Sequence, residues 1–240
     1  AEFIEFSPAI AEWLHWDKAR RVLKALTLGT VILGITLSIL HQSGLGALFL
    51  MAKPKIHPLW WSLFIPILFF VSSIYAGLSM IILEGTISHR IFKNLIGPKG
   101  HRSFDDMVFG LAKGAAITMF VYYFFKALLF IHDKQWGLIN DGWGYWYLVE
   151  VIGFVLIPTL MYAFGFKHRS LKIIKVASVM ALIGILLNRL NISVISFNWY
   201  VQPHYFPSWQ EFVVALTVIL AEIWVLRWFI TRMPVFDSEH

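Results

Sequence analysis

LWWSLFIPILFFVSSIYAGLSMIIL, residues 59–83, contains no charged side chain. A helix needs about 20 residues to cross a hydrocarbon core ~30 Å thick, and this run is longer than that. Working outward from it, comparable apolar runs cover 23–45, 106–131, 144–166, 172–192 and 209–230. The chain therefore reads as an all-α integral membrane protein, a bundle of about six transmembrane helices. Pro66 and Pro158 fall inside two of the runs and predict a kink or local adjustment there.

Composition agrees with that reading. Of 240 residues, 58% are apolar, 17% aromatic and 14% charged, and the mean hydropathy is +0.70. A soluble domain needs roughly a quarter of its residues charged to cover its surface. The net charge of +6 would suggest nucleic acid in a soluble protein. Here the basic residues sit between apolar runs, so they report topology instead. There is no cysteine, which excludes disulfides, thiolate metal sites and a cluster held by cysteines of this chain.

The Lys and Arg distribution predicts orientation. One side collects Lys18, Arg20, Arg21 and Lys24, then Arg90, Lys93, Lys99 and Arg102, then Lys167, Arg169, Lys172 and Lys175, and finally Arg227 and Arg232. The other side has Lys53, Lys55 and Lys134. The first side is expected to be cytoplasmic, with both termini inside. Residues 1–22 read as an amphipathic interfacial segment, 23–231 as the helical bundle and 232–240 as a cytoplasmic tail. Ala1 is followed by no signal-peptide pattern, so the chain reads as processed or as the later part of a longer polypeptide. The loops HDKQWGLINDGWGYWY (132–147) and SFNWYVQPHYFPSW (196–209) are rich in Trp and Tyr. Single residues there suit an aromatic belt, and the outer surface as a whole suits docking of a protein.

Ionisable residues in an apolar span are costly, about 2.5–3.5 kcal/mol near a helix centre on insertion scales. His41, Glu84, Lys113, Lys126, Glu150, Arg189 and Glu222 stand in or at the ends of spans. Lys113 and Glu222 are candidates for a structural pair, and Lys126 and Glu150 lie far enough toward helix ends to snorkel. Lys113, Glu150 and Glu222 are expected to be buried charges. His41 precedes small residues in HQSGLG, and its imidazole can give and take a proton near neutral pH. Glu84 precedes Gly85 at the end of its run and has Arg90 nearby as a partner. Arg189, between Asn188 and Asn191, is placed to hold a carbonyl, a carboxylate or a partner loop. A bis-histidine haem needs two imidazoles at matching depth. His41 alone lies well inside a span, so neither haem nor another metal is expected.

LHQSGLGALFLMAKPKIHPLWWSLFIPILFFVSSIYAGLSMIILEG (40–85), NRLNISVISFN (188–198) and FPSWQEFVVALTVILAEIWVLRWF (206–229) together carry a resemblance. They resemble the polysulfide-reductase membrane-subunit (NrfD-like) superfamily, nearest the branch of b-type integral membrane subunits of Ni/Fe hydrogenase-2. The resemblance covers about Ser7 to Pro234. It implies a quinone-reactive subunit of a respiratory oxidoreductase complex, with no haem and no redox cofactor of its own. Such a subunit exchanges electrons between a periplasmic iron–sulfur (ferredoxin-like) partner, with further redox subunits behind it, and menaquinone or menaquinol. It also implies a multi-pass protein of the bacterial or archaeal cytoplasmic membrane, in contact with lipid and not nucleic acid. Proton-pathway residues of that branch match His41 and Glu84, and the Arg of the NRLN run matches Arg189. With Asn188 and His41, Arg189 is the candidate quinone-binding or nearby polar network. Family members carry about four further helices before the HQSGLG helix. The chain thus corresponds to the C-terminal portion of such a subunit, or its N-terminal bundle is a separate segment. A transporter or proton channel without a redox partner is the alternative, and a structural anchor is a third. The first of these predicts inverted repeats, and none is evident.

Overall fold

The computed structural model describes residues 17–91, 98–200 and 207–232. The expected interfacial segment up to residue 16 and the tail from 233 lie outside the described residues, as do 92–97 and 201–206. The described residues are helical and contain no strand. The helices are α1 (Asp17–Leu48), α2 (Ile65–Ile91), α3 (Pro98–His132), α4 (Gly142–Leu148), α5 (Ile157–Lys167), α6 (Leu171–Ser193) and α7 (Trp209–Arg232). Five stretches are long and apolar enough to cross a membrane: Gly29–Ala52, Ile65–Arg90, Phe104–His132, Gly142–Lys167 and Leu171–Phe197. The sixth expected span, 209–230, is helical as α7 but stands outside those five.

The chain divides into two compact units, residues 39–204 and residues 1–38 with 205–240. In the first unit α2, α3, the α4–α5 segment and α6 pack around one core. Each helix buries a stripe at helical spacing. On α3 it is Val108, Ala112, Ala115, Met119 and Tyr122; on α6, Ile174, Ala177, Ala181 and Gly184. Alanine and glycine at these places let the helices approach closely, which is how apolar helices gain contact in a medium no less apolar than their side chains. The outward faces are apolar too, with Ile117, Phe120, Phe124 and Leu128 exposed along α3 and Leu160 and Leu186 on its neighbours. Hydroxyls return to helix carbonyls: Ser72 to Phe69 at 2.9 Å and Thr159 to Val155 at 2.6 Å. In the second unit the described side chains of α7 are exposed.

Two local expectations are corrected. The second span was expected from residue 59, yet α2 starts at Ile65. Residues 53–64 fold instead as a turn-rich cap, in which Ile56, His57, Leu59 and Trp60 are buried. The Ser62 hydroxyl accepts the Phe64 N–H at 3.2 Å where the helix begins. Pro66 is thereby the second residue of α2, a position where a missing N–H costs nothing, and not an interior kink. Pro158 does bring an adjustment. It cannot donate to the Phe154 carbonyl four residues back, and the segment Val149–Leu156 widens to a π-helix between α4 and α5. The last i→i+5 bond runs from the Ile157 N–H to the Ile152 carbonyl, one residue before the proline. As a result both Glu150 and Val151 are buried, and neither is lost to the lipid face.

Gly184 packs against this widened turn. A Cβ there would lie 2.7 Å from the Phe154 carbonyl oxygen and 2.8 Å from Phe154 Cβ. Gly184→Ala is expected to destabilise the bundle by about 1–3 kcal/mol through overpacking, read as a lower unfolding midpoint in mild detergent.

Candidate functional site

Polar side chains collect where α2, α3, the π-helical segment and α6 meet the 53–64 cap. The stripes explain how they arrive. On α3 the series 112, 115, 119, 122 continues to Lys126, and on α6 the series 177, 181, 184 continues to Asn188 and Asn191. Glu150 comes from the π-helical segment and is 1% exposed.

Glu150 is the hub. Its Oε2 accepts the Trp60 indole N–H at 2.7 Å and an Asn191 amide N–H, and its Oε1 accepts the Asn188 amide at 2.6 Å. Lys126 Nζ lies 3.5 Å from Oε1 and 4.9 Å over the Tyr147 ring. Trp146 Nε1 donates to Asn191 Oδ1 at 2.9 Å, which fixes the orientation of that amide. Arg189 donates to Asn188 Oδ1 at 3.0 Å and to Ser72 Oγ at 2.9 Å, and its guanidinium stacks 3.6 Å over Phe69. Tyr75 and Tyr122 are buried beside this group with ring centroids 5.6 Å apart. A buried carboxylate is tolerated only when it is paired and hydrogen-bonded. Here three N–H donors and one ammonium meet it, and Arg189 adds a second cation bound to one of those donors.

The candidates from the sequence separate into two groups. Asn188 and Arg189 come together with Glu150, whereas His41, expected in the same network, is not among them. Lys126 and Glu150 do not snorkel; they form a buried ion pair, because both continue buried stripes. Lys113, expected to be buried, is exposed between the inward-facing Ala112 and Ala115, with its ammonium 5.9 Å from the Phe166 ring. Glu222, also expected to be buried, is exposed on α7. Glu84 is exposed because the α2 stripe of Ser72, Tyr75, Ser79 and Ile82 passes it by, and no ion pair among the described residues joins it to Arg90. His41 is exposed on α1. Trp60, Ser72 and Tyr147 were missed. Trp60 was read as part of a span and Tyr147 as part of an aromatic belt. The i, i+3, i+4 series into which Lys126 falls was the available signal for the pair.

His57, in the cap, is buried, stacked 5.5 Å from Trp143 and edge-on to Trp60 and Trp199. Burial pushes its pKa below the ordinary value, with Asp141 opposing. The other histidines with described side chains, His41, His89, His132 and His168, are exposed or half-buried. Among the described residues no group of three or more His, Asp or Glu is placed to hold a metal ion.

The model of a family described as polysulphide reductase, NrfD, matches residues 3–199. The chain belongs to this family. With five helices of crossing length, it is a multi-pass membrane protein. A protein of Nitratidesulfovibrio vulgaris is 41% identical over 240 residues, covering 99% of this NrfD-family chain and 62% of its own length. The probable Ni/Fe-hydrogenase 2 b-type cytochrome subunit of Escherichia coli strain K12 is 24% identical over 233 residues, covering 97% of this chain and 58% of its own. The chain thus spans less than two thirds of the curated relatives it matches. No solved structure matches it.

Two outcomes test the site. Glu150→Ala strands Lys126 and three N–H donors, so it is expected to cost about 3–5 kcal/mol. The double variant Lys126→Met/Glu150→Leu should recover part of that loss in detergent unfolding. For His57 the folded state disfavours the charged form, so its contribution is complete above the unfolded value of 6.5 and lost as pH falls through the lower folded value. The melting temperature should drop between about pH 7 and 5, and less so in His57→Phe.

Proposed function

We propose that this chain is part of a quinone-reactive membrane subunit. In this reading it helps pass electrons between a periplasmic iron–sulfur partner and menaquinone or menaquinol in the bacterial or archaeal cytoplasmic membrane. The observation that carries the reading is the Lys126–Glu150 pair with Arg189, buried inside an apolar bundle of a family of redox-complex subunits. Quinone reduction takes up two electrons and two protons, so a subunit that serves it needs titratable groups held away from lipid. A purely structural anchor gains little from such a cluster, since a buried pair is often no more stable than apolar residues of the same volume. The name of the E. coli relative, a probable Ni/Fe-hydrogenase 2 b-type cytochrome subunit, points the same way, to a redox complex.

The orientation follows the charge count, with the face of Lys53, Lys55 and Lys134 outside and both termini cytoplasmic. The outer loops Trp136–Tyr147 and Trp199–Tyr200 present exposed aromatic rings, which suit a docked protein on that face. His41 and Glu84 enter as proton-pathway residues on the strength of the resemblance alone, being exposed here, while Asn188 and Arg189 supply the polar network. Translocation of protons is the further possibility this arrangement opens. The electrons belong to the partner and the quinone; the chain's own residues hold charge, orient amides and move protons.

Purification of the full-length subunit in mild detergent is expected to bring down an iron–sulfur protein and extractable quinone. Isolation as a lone homo-oligomer without quinone would favour the transporter reading. In the whole complex His41→Ala should lower quinone reduction severalfold; an unchanged rate removes His41 from the pathway.

A further inference from the structure

The Lys126–Glu150 pair is not sealed on all sides. At the end of the bundle bearing Lys53 and Lys134, an open cavity of about 720 Å³ lies between the 53–64 cap and the end of α3. Below it is a second cavity of about 20 Å³, and the two share Trp61, Ser62, Leu129, Asp133 and Gln135. The inner one also touches Lys126, Trp60 and Tyr147. A volume of ~10–15 Å³ holds one water, provided two to four polar groups surround it. Lys126, Ser62, Asp133 and Gln135 supply them.

A second observation falls at the same place. Trp61 Nε1 is buried and has no hydrogen-bond partner among the described residues, and Trp61 lines both cavities. Buried indole N–H groups are normally paired. A water at this junction would accept that hydrogen. On the far side Asp133 is 2.9 Å from His132 Nδ1, and His132 is exposed.

We propose that Lys126, held against Glu150, exchanges protons with the aqueous phase on the Lys53/Lys134 face, through a single water held in the inner cavity. In the outward step an N–H bond of the Lys126 ammonium breaks and its proton goes to that water. A proton of the water passes to the Asp133 carboxylate and from there, beside His132, to bulk water. Lys126 is left a neutral amine, and the reverse sequence restores it. Glu150 keeps the hydrogen bonds donated by Trp60, Asn188 and Asn191, and Arg189 stays bound to Asn188. The other titratable groups acting on Lys126 are Tyr147 on the π-helical side and Arg189 on α6. The inference deepens the quinone reading by naming the face that supplies the buried pair, but the water path stands without it.

The test uses the full-length subunit in its complex, in oriented vesicles, with infrared difference spectra after a pH step on one face. A carboxylate band absent from Glu150→Gln identifies Glu150, and its position reports the charge on Lys126. The expected result is a shift of that band when pH steps on the Lys53/Lys134 face. Ser62→Leu, which fills the inner cavity, should slow the response at least tenfold, and Leu63→Met, which touches only the outer cavity, should not. If Ser62→Leu fails to fold, Ser62→Cys modified after assembly by a membrane-impermeant thiosulfonate makes the same block. A response that ignores the block, or that follows pH on the opposite face alone, overturns the proposal. No quinone turnover is measured, so failure of the path and failure of the quinone reading remain distinguishable.

Discussion

The Glu150 carboxylate binds four parts of the molecule to one point. Its two oxygens receive Trp60 from the cap, Asn188 and Asn191 from α6, and the Lys126 ammonium from α3. In an apolar surround none of these groups has water to fall back on, so each holds the others in place. The cap closes over the bundle because Trp60 reaches inward. The π-helical widening matters for the same reason, since it turns Glu150 toward the interior while Val151 keeps its own buried place.

The chain is apolar outside and carries its polar chemistry inside. Leu160, Leu186 and the α3 phenylalanines face outward, while Ser72, Ser79, Asn188 and Asn191 are buried. Lipid imposes this inversion: outward polar groups find no partner, whereas inward ones can be satisfied by each other. Within this family fold, the interior of the bundle is where charge can be stored at acceptable cost. The indole N–H of Trp61, without a partner among the described residues, belongs to a residue lining both cavities, the inner of which touches Lys126.

Much of the architecture was legible from the sequence. The spans read from residues 59–83 and their neighbours correspond to five helices of crossing length, with differences at the ends where proline and serine chemistry decides where a helix starts. The family, too, was readable from the HQSGLG-to-LEG run. The site was legible only in part. Asn188 and Arg189 stood out because amides and a cation interrupt an apolar helix. Of the three charges expected to be buried Glu150 is interior, while Lys113 and Glu222 are exposed, and Lys126 is buried where snorkelling was expected. Distance from a helix end was used where helical phase should have been. Lys126 lies in phase with Ala112, Ala115, Met119 and Tyr122, whereas Lys113 follows Ala112 on the wrong face.

By itself the sequence determined that the helices are long, apolar and separated by basic loops, because hydropathy and charge are sums over neighbouring residues and need no partner. Tertiary structure alone decided which ionisable groups are interior. That choice depends on where four stripes converge, on a π-helical turn that shifts the phase at Glu150, and on a cap that folds back over the bundle. Residues far apart in the chain, Trp60, Lys126, Glu150 and Asn188, meet through those three features. No local pattern in any one helix specifies the meeting.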